Sequence, residues 1–260
     1  MLRRRSKALA GLLVALVGLA GCDDAPAASA PSQPSSPTVG LGLMTSLPLY
    51  WPVGAGIGAI ADGRGELPWQ RTALEQRFAI TPLDTLSAIP GLSPDAPPTD
   101  PLAGLDRLAV IQPRGLSPAD NVALDVWVRQ GGRLLLVLDP ALTGHYDLPL
   151  GDPRRPVDSA LIPPVVARWG MAIGFDETQD EAVINARLEA VALPLALPGR
   201  MTVVDPAAGQ CTVLAQGAAA RCRVEQGQVT VIADAAIFEH QELAGEDGTG
   251  LQAVVAEALR

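Results

Sequence analysis

Along the chain, aliphatic residues fall into short unbroken runs rather than strict alternation: Val39 to Trp51, Arg107 to Arg114 and Arg133 to Leu138 each hold several in succession. Strands of that kind are covered on both faces, which is the habit of a parallel sheet. Between the second and third runs, LSPADNVALDVWVRQGG has helical spacing, with Ser117 placed to cap, Pro118 at the first helical position, Asp120 in the first turn and Gly131 at the close. The pattern predicts a βαβ unit.

Around that unit, WQRTALEQRF (Trp69 to Phe78) is spaced as a helix and FAITPLDTL as a short strand, while LSPDAPPTDPLAGL reads as a surface loop from its prolines. DSALIPPVVARWG is expected to be a helix closed by Gly170, and MAIGFDE, Met171 to Glu177, a further strand. The Ala- and Leu-rich stretch from Glu181 to Pro198 supports no firm assignment. RMTVVDP, CTVLAQ, RCRVEQ and QVTVIAD then read as four strands, and GLQAVVAEALR as an amphipathic terminal helix. The expected fold is α/β, with a mostly parallel Rossmann-like or flavodoxin-like sheet and a small β-hairpin addition, over residues 41–260.

The N-terminal residues follow a different grammar. MLRRRSKALAGLLVALVGLAGC joins a basic start to an apolar run too short to span a bilayer comfortably, and Leu19-Ala20-Gly21-Cys22 has the form of a bacterial lipobox. Residues 1–21 are expected to be a lipoprotein signal peptide and Cys22 the lipidated residue. Several acyl chains at about 0.8 kcal/mol per buried methylene would anchor the chain stably. Residues 22–40 have the Pro/Ser/Ala composition of a tether. Asp23 after the cysteine favours retention at the inner membrane, on its periplasmic face.

Charge and residue inventory narrow the chemistry. Nineteen basic residues lose four with the leader, leaving fifteen against twenty-eight acids, a net charge of about −13. That opposes binding to nucleic acid and general adhesion to anionic lipid. Lys7 is the only lysine, so the mature chain lacks a P-loop lysine, a Schiff base and a lysine general base. Gly54, Gly56 and Gly58 are spaced GxGxG rather than GxGxxG, which suits a loop more than a dinucleotide turn. Cys211 and Cys222 flank a Gly/Ala turn; they read as a cross-hairpin disulfide or as two buried thiols. No cofactor and no metal motif is indicated.

DNVALDVWVRQGGRLLLVLDP and, about ninety residues later, VEQGQVTVIADAAIF resemble the glutamine-amidotransferase-like domain of gliding-motility-type ABC transporter auxiliary components and related uncharacterised bacterial domains. The matching positions are Val128, Gly131, Gly132, Asp139, Pro140, Gly227, Asp234 and Phe238. The resemblance implies a fold without an activity. True amidotransferases need a cysteine in a sharp strand-to-helix turn, and no cysteine here follows a parallel strand; a GxSxG elbow is also missing.

Asp139 and Asp234 each end an aliphatic strand, the edge at which open α/β sheets bind ligands. Each is better placed to cap a following helix than to serve a ligand, with Pro140 at the first position after Asp139. His145 and His240 follow the two aspartates by six residues, and Arg114, Tyr50, Trp51 and Tyr146 are expected on the same rim. Asp139, Asp234, Arg114, Tyr50, Trp51, His145 and His240 are therefore the candidate binding residues, with no catalytic residue assigned. The expected function is a membrane-anchored, periplasmic, non-enzymatic binding module whose partners are the membrane, through Cys22, and proteins of an ABC-type transport or envelope system. The alternative is an envelope hydrolase acting through the strand-end aspartates.

Overall fold

The computed structural model describes residues 39–54, 58, 62, 67–93 and 95–260, all within one compact unit that spans 35–260. The readings made for the leader, Cys22, Asp23, Gly56 and nearly all of the tether lie outside the described residues. The parallel strands are β1 (Val39–Thr45), β2 (Phe78–Pro82), β3 (Arg107–Ile111), β4 (Arg133–Val137) and, at the other end of the chain, β11 (Gly227–Ile232). Two antiparallel strands, β9 (Gln210–Leu214) and β10 (Ala219–Val224), extend the sheet, giving the order β2-β1-β3-β4-β11-β10-β9. The fold is mixed α/β with a mostly parallel central sheet. Two short ribbons complete it: β5 (Met171–Gly174) with β8 (Arg200–Val203), and β6 (Ile184–Leu188) with β7 (Val191–Leu195).

The unbroken aliphatic runs have the expected cause. Ala109, Ile111, Leu135 and Val137 face one hydrophobic cluster, whereas Leu108, Val110, Leu134 and Leu136 face the other. The first cluster is closed by α1 (Trp69–Glu75), the β6-β7 ribbon, α4 (Ala236–Glu239) and α5 (Thr249–Ala258), and the second by α2 (Pro118–Arg129) and α3 (Pro164–Arg168). A sheet buried on both sides has no polar face to alternate with.

α2 starts as its sequence requires. Ser117 accepts from the Asp120 amide while Asp120 accepts from the Ser117 amide, a reciprocal capping box. Asp120 also accepts from the Thr85 hydroxyl and from the Leu86 and Ser87 amides, so it pins the loop after β2 as well as its own helix. Burial pushes this carboxyl up, but the Ser117 and Thr85 hydroxyls and the two amides hold it well below the usual carboxylate range. On the last turns, Asp125 accepts from Arg129, Arg168 and the Trp169 indole, tying α2 to the end of α3.

Several boundaries differ from the sequence reading. α1 stops at Glu75 because Phe78 turns into β2 and packs in the core. The helix read in DSALIPPVVARWG is confined to Pro164–Arg168, since two prolines leave only the last turn free to close its hydrogen bonds. The stretch that supported no assignment is the β6-β7 hairpin, whose Leu188, Leu193 and Leu195 close the core.

Candidate functional site

The C-terminal ends of β1, β3, β4 and β11 are joined by a line of buried polar contacts. Ser46, one residue past β1, donates its hydroxyl to the Gln112 carbonyl. Gln112, one residue past β3, is fully buried and holds φ at +45°. Its side-chain amide donates to the Asp139 and Val157 carbonyls at 3.0 and 3.1 Å, and its Oε1 accepts from the Asp139 amide at 2.8 Å. Asp139 in turn accepts from Ala141 at 2.8 Å and, across to the next strand end, from Ala235 at 2.7 Å. Asp234 accepts from Ala236 at 2.8 Å and from Ala196, past β7, at 2.7 Å. Five connections are stitched into one rim.

Asp139 and Asp234 therefore converge, but as struts. No helix follows Pro140, so the expectation that Asp139 caps one is corrected: it closes a local turn onto Ala141 and clips the loop after β4 to the loop after β11. Asp234 receives the first amide of α4 and also the β7 exit, so capping is only half of its work. Both residues are essentially inaccessible, and all four carboxylate oxygens accept backbone amides. Burial pushes Asp139 up to about 7, against the pull of its two amides and with the help of Glu239. Burial and then the Asp139 charge push Asp234 up to about 8. Among the described residues no cation is paired with them, and no group of acids, histidines and cysteines is arranged to hold a metal ion.

The histidines do not join the pair. His145 is almost fully exposed, 3.3 Å from Asp147. His240 meets the Thr143 hydroxyl at 2.9 Å on the flank of α4. Arg114 lies exposed on the loop beyond Gln112. Glu239, which the sequence reading passed over, accepts from the Tyr146 hydroxyl at 2.7 Å and from the Thr143 amide at 3.1 Å, folding the loop after β4 onto α4. Burial and the Glu239 charge push the Tyr146 hydroxyl far up, so that it stays a donor. Gly144 packs closely there: a Cβ would sit 2.3 Å from Glu239 Oε1, so that the Glu239 and Tyr146 side-chain ends would have to shift.

Tyr50 and Trp51 mark the open part of the rim. They meet edge to face with centroids 4.9 Å apart, and the Arg71 guanidinium of α1 lies 4.0 Å from the Tyr50 ring centre and 5.2 Å from that of Trp51. Beside them a cleft of about 310 Å³ opens over the ends of β1 and β2, with Thr45, Ser46, Asp84 and Arg154 among its polar residues. Trp51 remains 43 % exposed at its mouth. The site residues thus divide into a buried structural network and an aromatic-walled cleft that does not include the aspartates. On the far side of the sheet, Cys211 and Cys222 face each other across the β9-β10 pair and are joined as a disulfide.

No family model and no curated protein sequence matches the chain. Among solved structures it is similar to an exo-β-1,4-mannosidase from Opitutaceae bacterium strain TAV5 (15 % identity, TM-score 0.48, 87 % of this chain and 36 % of that one). It is similar also to a β-galactosidase from Rahnella sp. R3 (11 %, 0.46, 86 % and 32 %) and to the GH42 β-galactosidase Gan42B from G. stearothermophilus (12 %, 0.46, 86 % and 30 %). The chain spans about a third of the length of these proteins. Two expectations are corrected by this. The resemblance to amidotransferase-like transport auxiliaries does not stand, since no family model supports it. The expectation that the chain is not an enzyme rested on that resemblance and falls with it. The glycines behind the resemblance have a packing origin: a Cβ on Gly132 would meet the Trp127 ring at 2.4 Å, and one on Gly227 would meet the Val128 carbonyl at 1.8 Å.

Proposed function

We propose that the chain is a lipid-anchored module on the periplasmic face of the inner membrane, which uses the cleft at the C-terminal rim to bind a segment of an envelope or transport-system protein. The observation that carries the binding reading is the exposed Trp51 beside Tyr50, held by Arg71 at the mouth of a cleft whose described lining holds a carboxylate, Asp84, and a cation, Arg154. Pockets that combine aromatic walls with a few polar groups fit ligands having one apolar face and polar edges. The strand order β2-β1-β3-β4-β11 supports a flavodoxin-like winding, in which the chain reverses direction across the sheet between β1 and β3. Ligands of such sheets sit at that reversal on the C-terminal edge, and the cleft lies at the exit of β1. The lipobox and tether support the anchor.

A detergent-phase pull-down with wild type and Trp51→Ala tests the reading. Trp51 is half in solvent, so its removal should leave the melting temperature within a degree or two, for a surface change on the order of 0.5 kcal/mol. A partner retained by wild type and lost by the variant is expected. Equal recovery by both proteins would exclude the cleft. Hydrolysis by Asp139 and Asp234 is not carried forward, because neither presents an accessible oxygen.

A further inference from the structure

A second cleft, of about 360 Å³, opens at the opposite edge of the sheet. The starts of β1 to β4 and the end of α5 line it, and four of its side chains are arginines: Arg77, Arg107, Arg133 and Arg260. Arg107 and Arg133 are register partners on adjacent parallel strands, so their side chains leave the same face at neighbouring positions. Like charges so placed repel.

The protein does not answer that repulsion. Glu257, the one acidic side chain among the described lining residues, is committed to Arg260 at 3.0 Å and Arg221 at 3.3 Å. Among the described residues, Arg77, Arg107 and Arg133 make no side-chain hydrogen bond or ion pair. The C-terminus of α5 would be a natural consumer of cations. Three carbonyls at and just beyond that end are already taken: Arg221 donates to Glu257 O at 2.8 Å, Thr230 to Ala258 O at 2.8 Å and Gln228 to Arg260 O at 2.9 Å. In a chain whose acids outnumber its bases twenty-eight to nineteen, four arginines around one cleft are not a by-product of composition. Val39, the first described residue, stands in the cleft wall.

We propose that this cleft binds the phosphate-bearing headgroup of an anionic phospholipid and seats the N-terminal edge of the sheet on the bilayer. The proposal rests on the lipid-anchored reading above. Guanidinium groups match phosphate oxygens in paired hydrogen bonds and stay charged at any physiological pH. The net negative charge of the whole chain does not oppose the contact, because screening confines each charge to about 8 Å and the local field is that of the arginines.

The test uses full-length protein in nanodiscs of phosphatidylcholine, alone or mixed with phosphatidylglycerol, with a headgroup quencher in the bilayer and a fluorophore on Gln76→Cys beside Arg77. Quenching is expected to rise with phosphatidylglycerol and to return to the phosphatidylcholine level in molar salt, where the screening length is about 3 Å. Arg107→Gln/Arg133→Gln should weaken the phosphatidylglycerol-dependent association roughly 25-fold, at about fivefold per arginine. Its melting temperature should be unchanged or higher, since a repulsive pair is removed, while Arg168→Gln should quench like wild type. Equal quenching in both bilayers, or no effect of the double variant, would overturn the proposal. So would a melting shift of wild type by inorganic phosphate, absent in the double variant, without any response to phosphatidylglycerol: the cleft would then take free phosphate. Protein that fails to co-elute with the discs would overturn the anchor and this proposal with it, a result separable from co-elution without lipid preference.

Discussion

Asp139→Asn should be destabilising in mild acid and neutral or stabilising in mild base. In the wild type both carboxylate oxygens accept amides, Ala141 at 2.8 Å and Ala235 at 2.7 Å, in a site closed to water. Asparagine keeps one acceptor and turns its NH2 toward the other amide, leaving a buried donor unpaired at a cost of about 1–3 kcal/mol. Against this stands the charge. The folded-state pKa, about 7, lies above the ordinary value of 3.8, so between these limits the folded protein holds a proton that the unfolded chain has released. The stability associated with that proton is fully present below pH 4 and is lost as pH rises toward 8. Three pH units at about 1.4 kcal/mol each put that loss at about 4 kcal/mol, comparable with or larger than the lost hydrogen bond. Asparagine does not titrate, and it also removes the charge that helps to raise Asp234. Urea unfolding of both proteins at pH 5, 7 and 8.5 gives the difference directly. A penalty of the same size at all three values, or a wild type that gains stability between pH 5 and 8, would refute the view of the rim as an uncompensated buried acid pair.

Other perturbations probe other joints. Gly227→Ala should cost more than about 3 kcal/mol, because its Cβ would lie 1.8 Å from the Val128 carbonyl, whereas Gly40→Ala, with nothing within 4 Å, should change stability by less than about 1 kcal/mol; paired chemical melts decide it. Asp125→Ala strips the acceptor from Arg129, Arg168 and the fully buried Trp169 indole, and should lower stability by about 3 kcal/mol in the same assay, with Asp125→Asn intermediate. Joint replacement of Cys211 and Cys222 by serine should cost about 3 kcal/mol, the chain-entropy value for a loop closed across eleven residues, and alkylation after reduction should count two thiols that native protein does not show.

The parts of the fold that could be read from the chain are those in which local and global demands coincide. Ser117, Pro118 and Asp120 define the start of α2 through contacts three residues apart, and the unbroken runs at β3 and β4 carry their double burial in their own composition. Pairing hidden in tertiary structure was not readable. The β6-β7 hairpin has no turn dipeptide, and its reversal at Glu189 is made by a non-glycine residue at φ +51°. Nor does the apolar spacing of DSALIPPVVARWG reveal that only its last turn becomes helical.

The site shows the same division more sharply. That Asp139 and Asp234 end adjacent strands follows from pattern and topology, yet whether such a carboxylate serves a ligand or the backbone depends on which amides reach it. Those amides belong to Ala235 and Ala196, ninety-six and thirty-eight residues from their acceptors, so no window along the sequence contains both partners. Gln112 was missed for a related reason: a glutamine after an aliphatic strand looks like a loop residue, and only its left-handed backbone and complete burial reveal it as the hub between β3 and β4. A strand-end carboxylate is therefore informative about function only when an oxygen is left over. Here none is, whereas among the described residues Trp51 stands half exposed at one edge of the sheet and Arg77, Arg107 and Arg133 stand unpaired at the other.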